Sequence, residues 1–223
     1  MVKKPNLIKL ITTNHKKTKR NYLKRMVNKK VKSMVTSKKY SFDYWDGSRS
    51  YGYGGYKYDG RWKNVAKKII KKYKLNKNSK ILDLGCGKGH LVYELFNILK
   101  SDNIFGIDIS NYAIKNSPIE IRNKLKRFDL RKNFSYRKNQ FDLVISINLI
   151  HNFNIYQVFR FLKNITKISK KSFVSTESYR NNQELFNLQC WALTADSFFS
   201  PEEWRWIFMQ CGYYRDYELI YFS

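Results

Sequence analysis

Apolar positions follow two rhythms along this chain. Short runs at Ile81-Leu82-Asp83-Leu84, Asn103 to Asp108, Phe141 to Asn148 and Ser172 to Thr176 predict strands. Between them the apolar spacing is helical. Val65, Ala66, Ile69 and Ile70 mark one face of Arg61 to Tyr73, Leu91, Val92, Leu95, Ile98 and Leu99 mark a second helix, and Phe159, Leu162 and Ile165 mark Val158 to Ile168. Tyr112 to Asn116 predicts a short helix stopped by Pro118. Ser200-Pro201-Glu202-Glu203 supplies the N-cap, first-turn proline and capping-box glutamate of a helix that runs to about Gln210 and stops at Gly212. Tyr213 to Tyr217 and Glu218 to Phe222 then predict a closing antiparallel pair. This alternation is the pattern of an α/β domain.

Two stretches depart from it. In residues 22 to 35, Tyr22, Leu23, Met26, Val27, Val31, Met34 and Val35 share one helical face, with lysines around the rest. That basic amphipathic helix either packs on the domain or lies on an anionic surface. From Tyr40 to Trp62 glycine and tyrosine dominate, which predicts an irregular aromatic lid upstream of the first core strand. Residues 185–199 form a second aromatic segment.

The chemistry is concentrated in Ile81 to His90, ILDLGCGKGH. A strand leads into Gly85, Gly87 and Gly89, and a helix follows directly. Such a turn lets a ligand lie against bare backbone, with the N–H groups of the first helical turn facing it. A dinucleotide fingerprint needs glycine where His90 stands, and a phosphate-binding P-loop needs Lys followed by Ser or Thr after the last glycine. Neither is present. What remains is G-x-G-x-G preceded by Asp83.

This pattern resembles the cofactor motif of class I S-adenosylmethionine-dependent methyltransferases. Asp108 ends the next strand, 19 residues after Gly89, close to the spacing of about 20 expected of a ribose-binding acid. Phe128-Asp129-Leu130 resembles the loop acid that meets the adenine amino group. The resemblance implies a Rossmann-like fold with a seven-stranded, mostly parallel sheet, an antiparallel last strand and helices on both faces. It implies S-adenosylmethionine as cofactor, S-adenosylhomocysteine as product, and no metal. The cofactor contacts it implies are Asp83, Gly85, Cys86, Gly87, Gly89, Asp108, Ile109, Asp129, Leu130 and Asn148. The ordered run YGYGGYKYDGRW, LDLGCGKGHL, SINLIHN, ESYRN and SPEEWRW is similar to bacterial small-molecule methyltransferases of sugar or cell-surface polysaccharide biosynthesis. That likeness covers residues 40–223 and leaves residues 1–39 as a basic extension.

Composition adds a partner question. The net charge is +27 over 223 residues, and residues 1–39 alone hold 14 Lys and Arg with no acid. A polyanionic neighbour is implied, whether a small metabolite, an anionic membrane surface or nucleic acid. Three scattered cysteines, Cys86, Cys190 and Cys211, form neither a zinc pattern nor a disulfide framework and suit a reducing cytoplasm. No run suits a signal peptide or membrane span. The expected location is cytoplasmic, with peripheral membrane attachment as an option.

Acceptor chemistry belongs at the carboxyl ends of the strands. Asn148-Leu149-Ile150-His151-Asn152 lacks the Pro-Pro-aromatic signature of exocyclic-amine methyltransferases. His151 is the candidate general base, or a structural histidine. Glu177 and Tyr179 are placed to orient a hydroxyl or amine. Arg180 suits a phosphate or carboxylate, and Tyr53, Tyr56, Tyr58, Arg61 and Trp191 complete the candidate substrate set. The expected function is transfer of a methyl group to an O or N of a small anionic molecule, such as a sugar, nucleotide-sugar or phosphorylated intermediate. The alternatives are an RNA or DNA methyltransferase that holds phosphates with its basic tail, and a non-catalytic scaffold.

Overall fold

The computed structural model describes residues 3–12 and 20–223. Strand β1 (Asn6–Leu7) is followed by α1 (Tyr22–Val27), α2 (Lys30–Ser37), α3 (Phe42–Trp45) and α4 (Arg61–Tyr73). The alternating part comprises β2 (Ile81–Leu84), α5 (His90–Leu99), β3 (Ile104–Asp108), α6 (Asn111–Lys115), β4 (Leu125–Arg127), β5 (Leu143–Ile147), α7 (Ile155–Ile168), β6 (Ser172–Glu177), α8 (Asn182–Trp191), α9 (Pro201–Gln210) and β7 (Asp216–Ile220). Short 3-10 turns cover Ile119–Lys124 and Ile150–Asn152.

The seven strands form one sheet in the order β1-β7-β6-β5-β2-β3-β4. Side chains alternate across it, so neighbouring residues serve opposite cores. Leu82, Val144 and Val174 face one layer with Phe161 and Leu162 of α7 and Trp204 and Phe208 of α9. Ile81, Leu143, Ile145 and Phe173 face the other, with Val65 and Ile69 of α4 and Val92 and Leu95 of α5. Burial on both faces explains why the central strands are almost continuously apolar.

The last strand corrects the expected antiparallel pair. Every pairing is parallel, including β6 with β7 and β7 with β1. Helix α9 carries the chain from one end of the sheet back to the other before β7, and such a crossover delivers a parallel strand. An antiparallel pair needs a tight turn between its strands, and Tyr217-Glu218 supplies no turn residue.

The basic segment also differs from one continuous amphipathic helix. Asn28 caps α1, and Lys29 adopts a left-handed φ of 51° before α2 begins. Leu23, Val27, Val31 and Val35 are exposed, and the buried side chains of α2 are Ser33 and Ser37. Tyr22 of the predicted apolar face packs on Trp191, and polar residues make further contacts with the domain. The Lys30 ammonium donates to the carbonyls of Gln189, Cys190 and Ala192 at the end of α8. Upstream, the Glu218 carboxylate on β7, itself 1% exposed, accepts the backbone N–H groups of Leu10, Ile11 and Thr12. His15 and Lys16 to Lys19 lie outside the described residues. Among the described residues no helix is long and apolar enough to cross a membrane.

Candidate active site

The glycine turn sits where β2 ends and α5 begins. Gly87 and Gly89 adopt φ of +57° and +72°, a region that side chains with a Cβ avoid. A Cβ on Gly87 would also lie 2.7 Å from the Trp45 ring, and one on Gly89 2.6 Å from Ile121. Gly89 is the N-cap of α5. The turn opens into a cavity of about 140 Å³ lined by Asp83, Gly85, Cys86 and Gly87 from this strand and loop. Asp108 and Ile109 from the end of β3, Asp129 and Leu130 beyond β4, and Asn148 beyond β5 line it as well.

Each acid is held by its surroundings. The Asp108 carboxylate accepts the N–H of Gly87 and of Ser110, both at 2.8 Å. Burial raises its pKa, against the lowering effect of those bonds. Asp83 is pushed up to about 7, first by burial and then by the charge of Asp108. Burial alone would raise Asp129, but bonds from Arg131 leave it below the usual carboxylate value. Burial also lifts the Cys86 thiol well above its usual value, which keeps it neutral and inert.

These residues fit S-adenosylmethionine. The bare glycine backbone gives an approach surface. Asp83 and Asp108 offer carboxylate oxygens for hydroxyl and amine donors, and the buried Asn152 Oδ1 in the same cavity has no hydrogen-bond donor. Among the described residues no His, Cys, Asp or Glu cluster is arranged to hold a metal ion.

Residues 40–62 cover this cavity. The Trp45 indole N–H donates to Ser110 Oγ at 2.9 Å, and its ring stacks on Tyr53 at 5.3 Å. Tyr56 stacks on His90 at 4.9 Å. Burial, followed by the charge of Lys88, lowers His90 to about 4, so it meets Tyr56 as a neutral ring.

A second cavity, of about 420 Å³, adjoins the first. Tyr44, Tyr53, Tyr56, Trp62, Ile147 and Asn148 line both. Asn148 adopts a left-handed φ of 53°, unusual for a residue other than glycine. His151 and Glu177 lie in the second cavity, with the imidazole Nε2 3.7 Å from a Glu177 carboxylate oxygen. His151 is 5% exposed and its Nδ1 is buried without a partner. Trp191 and Arg61 line this cavity too, and Arg61 is paired with Asp59.

Three predicted substrate-side residues line neither cavity. Tyr179 follows β6 and packs against the same core layer as Trp191, and its hydroxyl bonds Glu203 of α9. Arg180 pairs with Glu184 and lies over the Tyr221 ring at 4.3 Å. The Tyr58 hydroxyl bonds Glu94. In each case a nearby carboxylate captures the polar tip. The pattern of the sequence also passed over Trp45, Asn152, Arg25 and Arg49. Trp45 had a signal in the aromatic stretch around it. Arg25 and Arg49 had none, because they reach the cavity through contacts with distant α8.

Residues 75–212 match the family described as "Methyltransferase domain". The chain is 28% identical over 136 residues to an uncharacterized protein of Methanocaldococcus jannaschii, a match covering 53% of each. It therefore spans about half the length of that curated relative. Among solved structures, a candidate methyltransferase from Bacillus halodurans C-125 aligns with a TM-score of 0.54 and 16% identity, over 66% of this chain and 68% of that one. A structure of the complex between the Haloferax volcanii Trm112 methyltransferase activator and its candidate methyltransferase aligns with a TM-score of 0.52 and 19% identity, over 69% and 73%. At these identities the likeness is one of fold. The glycine turn, the acids at the strand ends and the family match together place this chain in the methyltransferase domain family, in the class I, S-adenosylmethionine-dependent group.

Proposed function

We propose that the protein transfers the methyl group of S-adenosylmethionine to an oxygen or nitrogen of a small anionic acceptor, such as a sugar phosphate or nucleotide-sugar. The observation that carries this reading is the junction of the two cavities at Ile147 and Asn148, with His151 and Glu177 on the acceptor side. The bound cofactor supplies an electrophilic methyl group on a sulfonium. Asp83, Asp108 and the glycine backbone hold it, with Asp129 and Asn148 at its edges. The aromatic cover of Trp45, Tyr53 and Tyr56 excludes water, which favours an aligned displacement.

An accepting hydroxyl or amine must lose a proton as the new bond forms. His151 Nε2, with the Glu177 carboxylate beside it at 3.7 Å, takes that proton, and the carboxylate stabilises the imidazolium that results. Tyr179 has no part in this reading. Transfer of labelled methyl from the cofactor into fractionated cell extract, with and without nuclease treatment, tests the proposal. Label should persist in small molecules after nuclease. Loss of label would favour the nucleic-acid reading. His151→Ala should retain cofactor affinity and lose about 100-fold in turnover; full turnover would remove the base assignment.

The exposed apolar stripe Leu23, Val27, Val31 and Val35, flanked by Lys24 and Lys32, supports peripheral attachment to an anionic membrane. Flotation with vesicles of anionic and of zwitterionic lipid measures it.

A further inference from the structure

The acceptor cavity is walled on one side by positive charge gathered on a single indole. The Arg25 guanidinium lies 4.3 Å from the centre of the Trp191 ring, Arg49 5.1 Å and Arg20 5.3 Å. All three line the cavity, with Lys57 nearby, and Glu177 is the only acid among the lining residues. These residues come from separate parts of the chain. Arg25 belongs to α1, Arg49 to the aromatic lid, and Trp191 ends α8.

Arg25 and Arg49 meet no carboxylate among the described residues. Among the described residues, their hydrogen bonds go to main-chain carbonyls. Arg25 donates to Trp191 and Arg49, and Arg49 donates to Gly52 and Tyr53. A guanidinium carries more N–H donors than these carbonyls absorb. Holding like charges together in a partly enclosed site is costly unless an anion joins them. Burial, and then the neighbouring charge of Arg49, lowers Arg25 to about 10.

Other parts of the extension are anchored to the domain. Lys30 caps α8, and Glu218 fixes the backbone at Leu10 to Thr12. Arg25 is held in place by these anchors and turned toward the cavity.

We infer that Arg25 and Arg49, set against Trp191, form a phosphate-binding subsite that grips the anionic end of the acceptor while its other end reaches His151 and Glu177. The ligand class is a phosphate monoester or diphosphate on a small molecule. Planar guanidiniums bind such oxyanions through paired N–H groups, and a phosphate carries enough charge to offset more than one of them. The subsite rests on the second cavity being the acceptor site, and the basic N-terminal extension thereby becomes part of the substrate site.

Binding of inorganic pyrophosphate to the full chain, measured by calorimetry at constant ionic strength, tests this without turnover. S-adenosylmethionine binding is measured in parallel. Wild type should bind pyrophosphate, and Arg25→Gln and Arg49→Gln should each weaken it about tenfold, the scale of one charge-assisted contact. Arg180→Gln, outside both cavities, should leave it unchanged. Cofactor affinity should be equal in all four proteins, which shows that the variants are folded. Pyrophosphate binding that is absent, or insensitive to Arg25 and Arg49, overturns the subsite. Failure of wild type to bind cofactor, with pyrophosphate binding intact, would instead remove the methyltransferase reading and keep the subsite. A short single-stranded oligonucleotide that binds far more tightly than pyrophosphate through Arg25 and Arg49 would assign the site to a nucleic-acid backbone and overturn the small-acceptor form.

Discussion

Lys88, inside the glycine turn, places its Nζ 2.6 Å from the carboxylate of Asp46 in the lid, and its side chain is only 6% exposed. The same carboxylate accepts the Tyr112 hydroxyl at 2.8 Å and the Tyr56 N–H at 2.9 Å. One acid therefore fastens the aromatic cover to the glycine loop and to α6.

Asp46→Asn leaves a buried ammonium without its counter-charge. The expected loss is about 3 kcal/mol of stability, read by thermal unfolding, together with faster cofactor dissociation in stopped-flow. Burial alone would raise the Asp46 carboxyl, but bonds from Lys88 and Tyr112 leave it below the usual value. A depressed carboxylate stabilises the fold above its unfolded value and loses that effect as pH falls through the folded one. Cofactor retention should therefore hold at neutral pH and fall in acid below about pH 4. A pH profile of retention that is the same in Asp46→Asn as in the wild type would exclude the latch.

Asp83 has the opposite sign. Burial, then Asp108, raises it to about 7, so the native state keeps a proton that the unfolded chain releases near pH 4. Stability of the cofactor-free protein should fall as pH rises from about 4 to 7, by at most ~1.4 kcal/mol per pH unit from this group, and level off above. Urea unfolding across that range, with Asp83→Asn flattening the slope, measures it.

Gly87→Ala pairs a forced left-handed conformation with a collision at the Trp45 ring. Cofactor affinity should drop at least about tenfold as lid and loop separate. Gly212 supplies the comparison, because it also has a positive φ, +66°, but nothing within 4 Å of an added Cβ. Gly212→Ala should cost only the conformational penalty of about 1–2 kcal/mol and keep cofactor affinity. Equal affinity losses in the two variants would count against the packing argument.

Glu218→Gln replaces a carboxylate that accepts three consecutive backbone N–H groups from residues 10–12. An amide has one acceptor oxygen, so some of those donors are stranded, at about 2–3 kcal/mol. Limited proteolysis should cut the N-terminal segment faster, and turnover on the acceptor should suffer more than cofactor binding. Unchanged cleavage would show that the segment is held by other contacts.

Much of the first cavity was legible because its signals are local. The glycine spacing calls for left-handed backbone at a strand-to-helix turn, and Gly85, Gly87 and Gly89 all show positive φ. Ser200 and Glu203 form the capping box that their spacing predicts. Asp83, Asp108 and Asp129 line the same cavity because each lies near or just beyond the carboxyl end of a parallel strand, and those ends share one side of the sheet.

The second cavity was less legible. Helical spacing placed Leu23, Val27, Val31 and Val35 on an apolar face, but it contains no information on whether that face meets the domain. The structure turns Arg25 and Lys30 inward, since the carbonyls at the end of α8 need donors and the lysine and arginine side chains are long enough to reach them. Tyr179 and Arg180 adjoin Glu177 in sequence, yet the strand ends at Glu177 and its alternation no longer orients them, and nearby carboxylates took their polar tips.

By itself the sequence determined the α/β alternation and the glycine turn, and it picked out the acids that the fold gathers beside that turn, because dihedral preference and burial period act over a few residues. Tertiary structure decided the direction of β7, the docking of the basic extension and the meeting of Arg25, Arg49 and Trp191. A strand's apolar pattern is the same whichever way it runs, so the α9 crossover sets its direction. Contacts between residues as far apart as Arg25 and Trp191 exist only after the sheet and helices have brought the two ends of the chain together.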